Sequence, residues 1–225
     1  KFSVPYEPED SVSAWGKEFD DYVRDLVASV SWSPNGQKLL VFLSDLTIID
    51  IKTGVEETLV SHATGTWYEW LPSSDGLIYV DYSSDNGEDL GLPNIWRIGL
   101  EADAEPVPLI LSEQLAMLSF EEGDAYLVRV SPTGIYLALL SIEFSKDLIP
   151  HSQLMIFDLA TLLAESPNNV TLEPLAHRQL PGVVGSLAWG PDEQELAFVM
   201  ATMKAATVEV MNWKDGASHT VGEVG

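Results

Sequence analysis

Short apolar runs recur along the chain, separated by polar stretches rich in Gly, Pro, Asn, Asp and Ser. That pattern predicts many short β-strands and little helix. One arrangement returns four times. Trp32-Ser33-Pro34-Asn35-Gly36 leads into the apolar run 37–42, and Trp70-Leu71-Pro72-Ser73-Ser74-Asp75-Gly76 leads into 77–80. Val130-Ser131-Pro132-Thr133-Gly134 leads into 135–139, and Trp189-Gly190-Pro191-Asp192 into 195–199. Proline presets φ for the second turn position and Gly, Asn or Asp tolerates the positive φ that closes a hairpin. Each copy therefore predicts a hairpin, whose inner strands fall at 26–32, 67–71, 125–131 and 186–189.

A third strand follows in every copy, at 46–51, 94–98, 153–159 and 207–213, and a short fourth at 55–60, 107–111, 172–175 and 218–221. The prolines at 34, 72, 132 and 191 are 38, 60 and 59 residues apart, as loop insertions of unequal length would make them. Four strands per unit and four units predict an all-β fold, a β-propeller built from four-stranded blades. A β-sandwich would explain the strands but not the return of one turn in one phase. Trp32, Trp70 and Trp189 share a repeat position and are expected to pack in the core.

Trp32-Ser33-Pro34-Asn35-Gly36 and Asp50-Ile51-Lys52-Thr53-Gly54 resemble the Trp-Ser-Pro-Asp-Gly and Asp-Leu-x-Thr-Gly turns of TolB-type, WD-like-repeat β-propellers. Trp189-Gly190-Pro191-Asp192 and Asp158-Leu159-Ala160-Thr161 match in part. The second unit departs most, with a turn that reads as lengthened and Gly99-Leu100-Glu101 in place of the Asp-Leu-x-Thr-Gly turn. Larger rings are usual in that family, so the resemblance implies either a ring that closes tightly on four blades or an open arc completed by missing sequence, by residues 1–24 or by a partner. Residues 1–25 read as an N-terminal extension, an edge strand and a short helix, with Trp15, Phe19, Tyr22, Val23 and Leu26 at helical spacing on one face; residues 26–225 read as blades.

Eleven basic residues against 35 acidic ones give a formal charge of −24, which repels phosphate backbones and argues against nucleic acid. There is no cysteine, hence no disulfide, no thiolate nucleophile and no Cys-ligated metal. No apolar run is long enough to cross a membrane, and the expected location is periplasmic or extracellular, with any signal peptide already removed.

Candidate chemistry is sparse. Gly-x-Ser-x-Gly, His-Glu-x-x-His, Walker and Gly-x-Gly-x-x-Gly motifs are all missing, so no catalytic residue is assigned. The loops that form one face of such a fold carry the binding-face candidates: His62, Trp67, Asp85, Glu88, Asp89, Glu121, Glu122, Asp124, His151 and Arg178. Asp81, Asp85, Glu88 and Asp89 are weak Ca²⁺ candidates, because close oxygen ligands suit that ion although their spacing is not that of an EF-hand. No other cofactor is expected. These observations favour a non-catalytic propeller that binds a protein, or further blades of its own kind, as a scaffold or accessory subunit. The alternatives are a hydrolase or lyase acting on a sugar or peptide through loop carboxylates, and the regulatory propeller of a longer peptidase.

Overall fold

The computed structural model describes residues 29–42, 45–61, 67–82, 92–101, 103–118, 125–143, 151–164, 172–202 and 204–224. They form four antiparallel sheets of four strands each, in the order of the chain. The first sheet contains β1 (Ser29–Trp32), β2 (Lys38–Phe42), β3 (Leu46–Asp50) and β4 (Glu56–Val60). The second contains β5 (Tyr68–Trp70), β6 (Gly76–Asp81), β7 (Asn94–Gly99) and β8 (Val107–Ile110). The third contains β9 (Ala125–Val130), β10 (Tyr136–Glu143), β11 (His151–Asp158) and β12 (Ala176–Leu180). The fourth contains β13 (Val183–Trp189), β14 (Glu195–Ala201), β15 (Ala206–Asn212) and β16 (Ser218–Val224). Each sheet is a propeller blade, and the fold class is the all-β one expected.

The proline turns explain why the first two strands of each blade pair. In the second, third and fourth blades the residue two places after the proline donates its amide to the carbonyl three residues back, Ser74 to Leu71, Gly134 to Ser131 and Glu193 to Gly190. Gly36, Ser74, Gly134 and Glu193, all at this position, have φ of 69°, 63°, 77° and 59°. The turn is thus a tight bend closed by a left-handed residue, the form that suits the twist of a hairpin. The second turn is not lengthened. Ser74, not Gly76, holds the left-handed place, and Gly76 already belongs to β6.

A second recurring turn follows the third strand. Asp50 Oδ1 accepts the amides of Lys52 and Thr53 and the Thr53 hydroxyl, and Asn212 Oδ1 accepts the amides of Lys214 and Asp215. Both turns close on a glycine, Gly54 and Gly216, at φ of 70° and 79°. Asp158 caps Thr161 in the same manner, but Leu162 stands where the glycine would be. There the chain continues as helix, and the turn expected at Ala160-Thr161 is instead the first part of α2 (Leu159–Ala164), which buries Leu159 and Leu162 one turn apart. α1 (Ser112–Met117) lies in what reads from sequence as a loop; its Gln114 Oε1 accepts the Leu111 amide and its Leu115 is buried.

The outer strand of the third blade is β12 at 176–180, not 172–175, because Leu172 lies buried against the core ahead of it. β13 begins at Val183, three residues ahead of the inner strand expected at 186–189. The expected N-terminal extension lies outside the described residues.

The chain divides into two compact units, Lys1–Trp32 with Gly36–His62, and Ser33–Asn35 with Ala63–Gly225. In the first unit, Leu40, Leu46 and Ile48 are buried on one face of the sheet. The other face is open: Val30 and Trp32 are each 59% exposed, so Trp32 does not pack in the core as expected. Trp70 is buried and Trp189 half-buried, as their shared repeat position predicted.

In the second unit three blades pack face to face. Ile78, Val80, Ile95 and Ile110 of the second blade meet Tyr126, Val128, Leu137, Leu139, Met155 and Phe157 of the third. The third blade's opposite face, Leu127, Ala138, Leu140, Leu154 and Ile156, meets Val184, Leu187, Leu196, Phe198, Met211 and Trp213 of the fourth. Strand alternation produces both faces from one sheet. Each such fully buried Leu, Ile or Phe contributes about 1.5–3 kcal/mol relative to leaving it in water.

Candidate functional site

Within the second unit, turn register aligns Glu69, Arg129 and Ala188, each next to the residue at the tryptophan position on its blade's first strand. The first strands β5, β9 and β13 are neighbours. Arg129 joins them. Its Nη1 donates to Glu69 Oε2 at 2.9 Å and to the Val128 carbonyl at 3.2 Å, while Nε donates to the Leu187 carbonyl at 3.1 Å. The guanidinium carbon lies 5.1 Å from the centre of the Trp67 ring, a cation–π arrangement. The Arg129 carbonyl in turn accepts Trp189 Nε1 at 3.1 Å, and the Trp189 ring stacks on Tyr136 at 5.9 Å.

Burial pushes the Glu69 carboxyl above its ordinary range, and the charge and hydrogen bond of Arg129 pull it back down. The Arg129 and Glu69 side chains retain 25% and 27% exposure, so water screens the pair in part. Among the described residues no second carboxylate bonds to Arg129, and no group of three or more His, Asp or Glu side chains could hold a metal ion. Chemically the cluster aligns three strands and holds one charge. It does not supply the paired carboxylates or nucleophile that hydrolysis would need.

A second polar cluster ties the proline turns. Glu193, at the left-handed position of the fourth blade, is only 6% exposed. Its Oε1 accepts the Thr133 amide at 2.6 Å and its Oε2 the Thr133 hydroxyl at 2.8 Å, both from the turn of the third blade. Burial works against its charge, but the Thr133 amide, the Thr133 hydroxyl and the Ser131 hydroxyl together hold the carboxyl below its usual range. The Glu193 carbonyl accepts Trp213 Nε1 at 2.8 Å. Ser74 does the like for the second turn, its Oγ accepting the Asn35 amide at 3.0 Å; Asn35 groups with the second unit.

Of the binding-face candidates, Trp67, His151 and Arg178 lie among the described residues. His62, Asp85, Glu88, Asp89, Glu121, Glu122 and Asp124 lie outside them. Trp67 precedes β5, packs partly buried against both core clusters and carries Arg129 on its ring. His151 opens β11 opposite Glu143 of β10. Arg178 is in the outer strand β12, its Nη2 donating to the Lys214 carbonyl at 2.7 Å and its Nη1 to the His177 carbonyl at 3.1 Å. The three stand at the inner lead-in of one blade and on two strands of another. Asp81, the one Ca²⁺ candidate described, ends β6 opposite Asn94.

Sequence reasoning passed over Glu69, Arg129 and Glu193. The signal was present in the repeat: each is a charged residue at a turn or strand position held by small or uncharged residues elsewhere, Ser31 and Ala188 in one case and Gly36 and Gly134 in the other.

No family model matches the chain, and no curated protein does. Solved structures do. TolB from Acinetobacter baumannii superposes with a TM-score of 0.58 at 16% identity, over 87% of this chain and 43% of that one. The tricorn protease gives 0.58 at 10% identity, over 87% of this chain and 22% of its own. An acylaminoacyl peptidase from Pyrococcus horikoshii gives 0.53 at 10% identity, over 89% and 33%. The chain spans less than half the length of each of these proteins. At such identities the likeness is one of fold, and this chain has the blade fold of TolB-type β-propellers.

Proposed function

We propose that this chain is a non-catalytic propeller segment that holds another protein, as a scaffold or accessory subunit outside the cytoplasm. One observation carries the reading: the apolar face of β1 is open, with Val30 and Trp32 each 59% exposed. Large apolar side chains grouped on a surface mark interaction sites. The inner polar cluster supports the same reading, because Arg129 is engaged by backbone carbonyls and Glu69 in holding strands together. No helix among the described residues is long and apolar enough to cross a membrane.

Affinity capture from native extract with the wild-type chain and with a Trp32→Asp bait tests this. The wild type should retain a protein in stoichiometric amount and the variant should lose it. Equal recovery on both baits, or none on either, contradicts the proposal. A second reading, the propeller of a longer peptidase, draws on the likeness to the tricorn protease and the acylaminoacyl peptidase. A full reading frame with a catalytic domain would favour it.

A further inference from the structure

We infer that the outer end of the seam between the second and third blades binds a monoanionic carboxylate with an aliphatic chain, held by Arg97. The site lies within the second unit and goes beyond the scaffold reading, on which it does not depend. In this unit the trailing face of one blade packs on the leading face of the next. Register counted from the proline turns gives the matching trailing positions. Arg97 pairs with Ile78, as Ile156 pairs with Ala138, Val210 with Ala197 and, in the first sheet, Ile48 with Leu40. Ile78 packs against the third blade. An arginine therefore stands where the repeat otherwise puts Ile or Val, on a face that meets a neighbouring blade.

What this arginine lacks is a partner. Arg129 and Arg178 each donate to backbone carbonyls, and Arg129 also to a carboxylate. Among the described residues Arg97 makes no hydrogen bond or ion pair, in a chain with 35 acidic side chains. Its Nε is shut off from water and has no acceptor, while the side chain as a whole is only half-buried. A cation that has lost part of its hydration, with nothing in the chain to replace it, draws an anion to its open end.

The neighbouring seam shows the same row closed. There Ile156 is 1% exposed and its outer partner Ala176 7%, in one cluster with Met211 and Trp213 of the fourth blade. Val107, the outer partner of Arg97, is 53% exposed. Across the seam Leu159 takes the place of Trp213, so a smaller side chain stands opposite and the row stays open. α2, which begins at Leu159, lies beside β8 and adds the exposed Leu163. The ligand class follows from these groups. A guanidinium offers a planar pair of N–H donors that fits the two oxygens of a carboxylate. One fixed positive charge on a chain of −24 suits a monoanion better than a phosphate dianion. Val107 and Leu163 give an aliphatic chain apolar surface to cover.

NMR titration of the Arg97 Nε–H resonance with hexanoate, and with hexanol as the uncharged control, is the test. Hexanoate should shift that resonance to saturation and hexanol should not. By calorimetry Arg97→Gln should bind hexanoate about tenfold to a hundredfold more weakly, as loss of a charge-assisted bond implies. Arg97→Ile, which restores the residue type of the other blades, should abolish binding yet unfold in urea at or above the wild-type midpoint, so that lost binding is not lost folding. N-acetyl-leucine binding more tightly than hexanoate makes the source a peptide C-terminus, and the reverse order makes it a free aliphatic acid. No shift with either acid, an equal response to hexanoate and hexanol, or wild-type affinity in Arg97→Gln overturns the inference.

Discussion

A glutamate at a left-handed backbone position costs roughly 1–2 kcal/mol that glycine would not, yet Glu193 sits there at φ 59°. What offsets the cost is the pair of charge-assisted bonds to Thr133, each worth about 1.5–3 kcal/mol. Glu193→Gly relieves the backbone and loses the bonds, so urea unfolding should show a net loss of about 1–3 kcal/mol; a gain would mean the bonds contribute little. Gly54→Ala isolates the opposite term, since a Cβ there meets nothing within 4 Å while φ is +70°. It should cost about 1 kcal/mol from backbone conformation alone.

Titration follows from the same carboxylates. Asp50 is held below its ordinary 3.8 by the Thr53 amide first, then the Thr53 hydroxyl and the Lys52 amide. Glu193, with burial opposing, is held below its ordinary 4.5 by the Thr133 and Ser131 bonds. A carboxyl whose folded pKa is depressed adds stability above the unfolded value and loses it as pH falls through the folded one. Stability should therefore decline as pH drops below about 4.5, and Glu193→Gln should flatten that decline in a chemical denaturation series. Glu69 runs the other way, because burial raises it: its contribution is present below the unfolded value and lost as pH rises through the folded one.

At the scale of the element, the two faces of one blade should answer differently to truncation. Leu154→Ala in β11 opens a cavity in a sealed seam and should cost about 2–5 kcal/mol. Val208→Ala, at the matching place on β15, removes a half-buried side chain and should cost under about 1 kcal/mol when the chain is dilute. Similar losses at the two positions would mean that the fourth blade's trailing face is covered within the chain.

The blades were legible because Trp32-Ser33-Pro34 and its three copies couple a turn to an apolar run at fixed offset, and backbone geometry demands those residue types there. Positions where the repeat tolerates exceptions were not. Ser74 takes a left-handed place without glycine, and Leu162 turns a bend into α2 by the absence of one. The candidate site was less legible, because Glu69, Arg129 and Leu187 come together across three blades, and only their spatial order sets that meeting. Trp32 looked like core because it shares a repeat position with Trp70 and Trp189; whether that position is covered is not encoded in the local sequence.

For the molecule as a whole, the account stands on the second, third and fourth blades sealing their faces against one another while the Val30 and Trp32 face of the first sheet is exposed. Hydroxyl-radical footprinting read by mass spectrometry, at a dilution where the chain sediments as a monomer, tests this most directly. Trp32 should label fast, while Trp213 and Phe157, at 4% and 1% exposure, should be protected. Protection of Trp32 equal to that of Trp213 in the monomer would contradict the account.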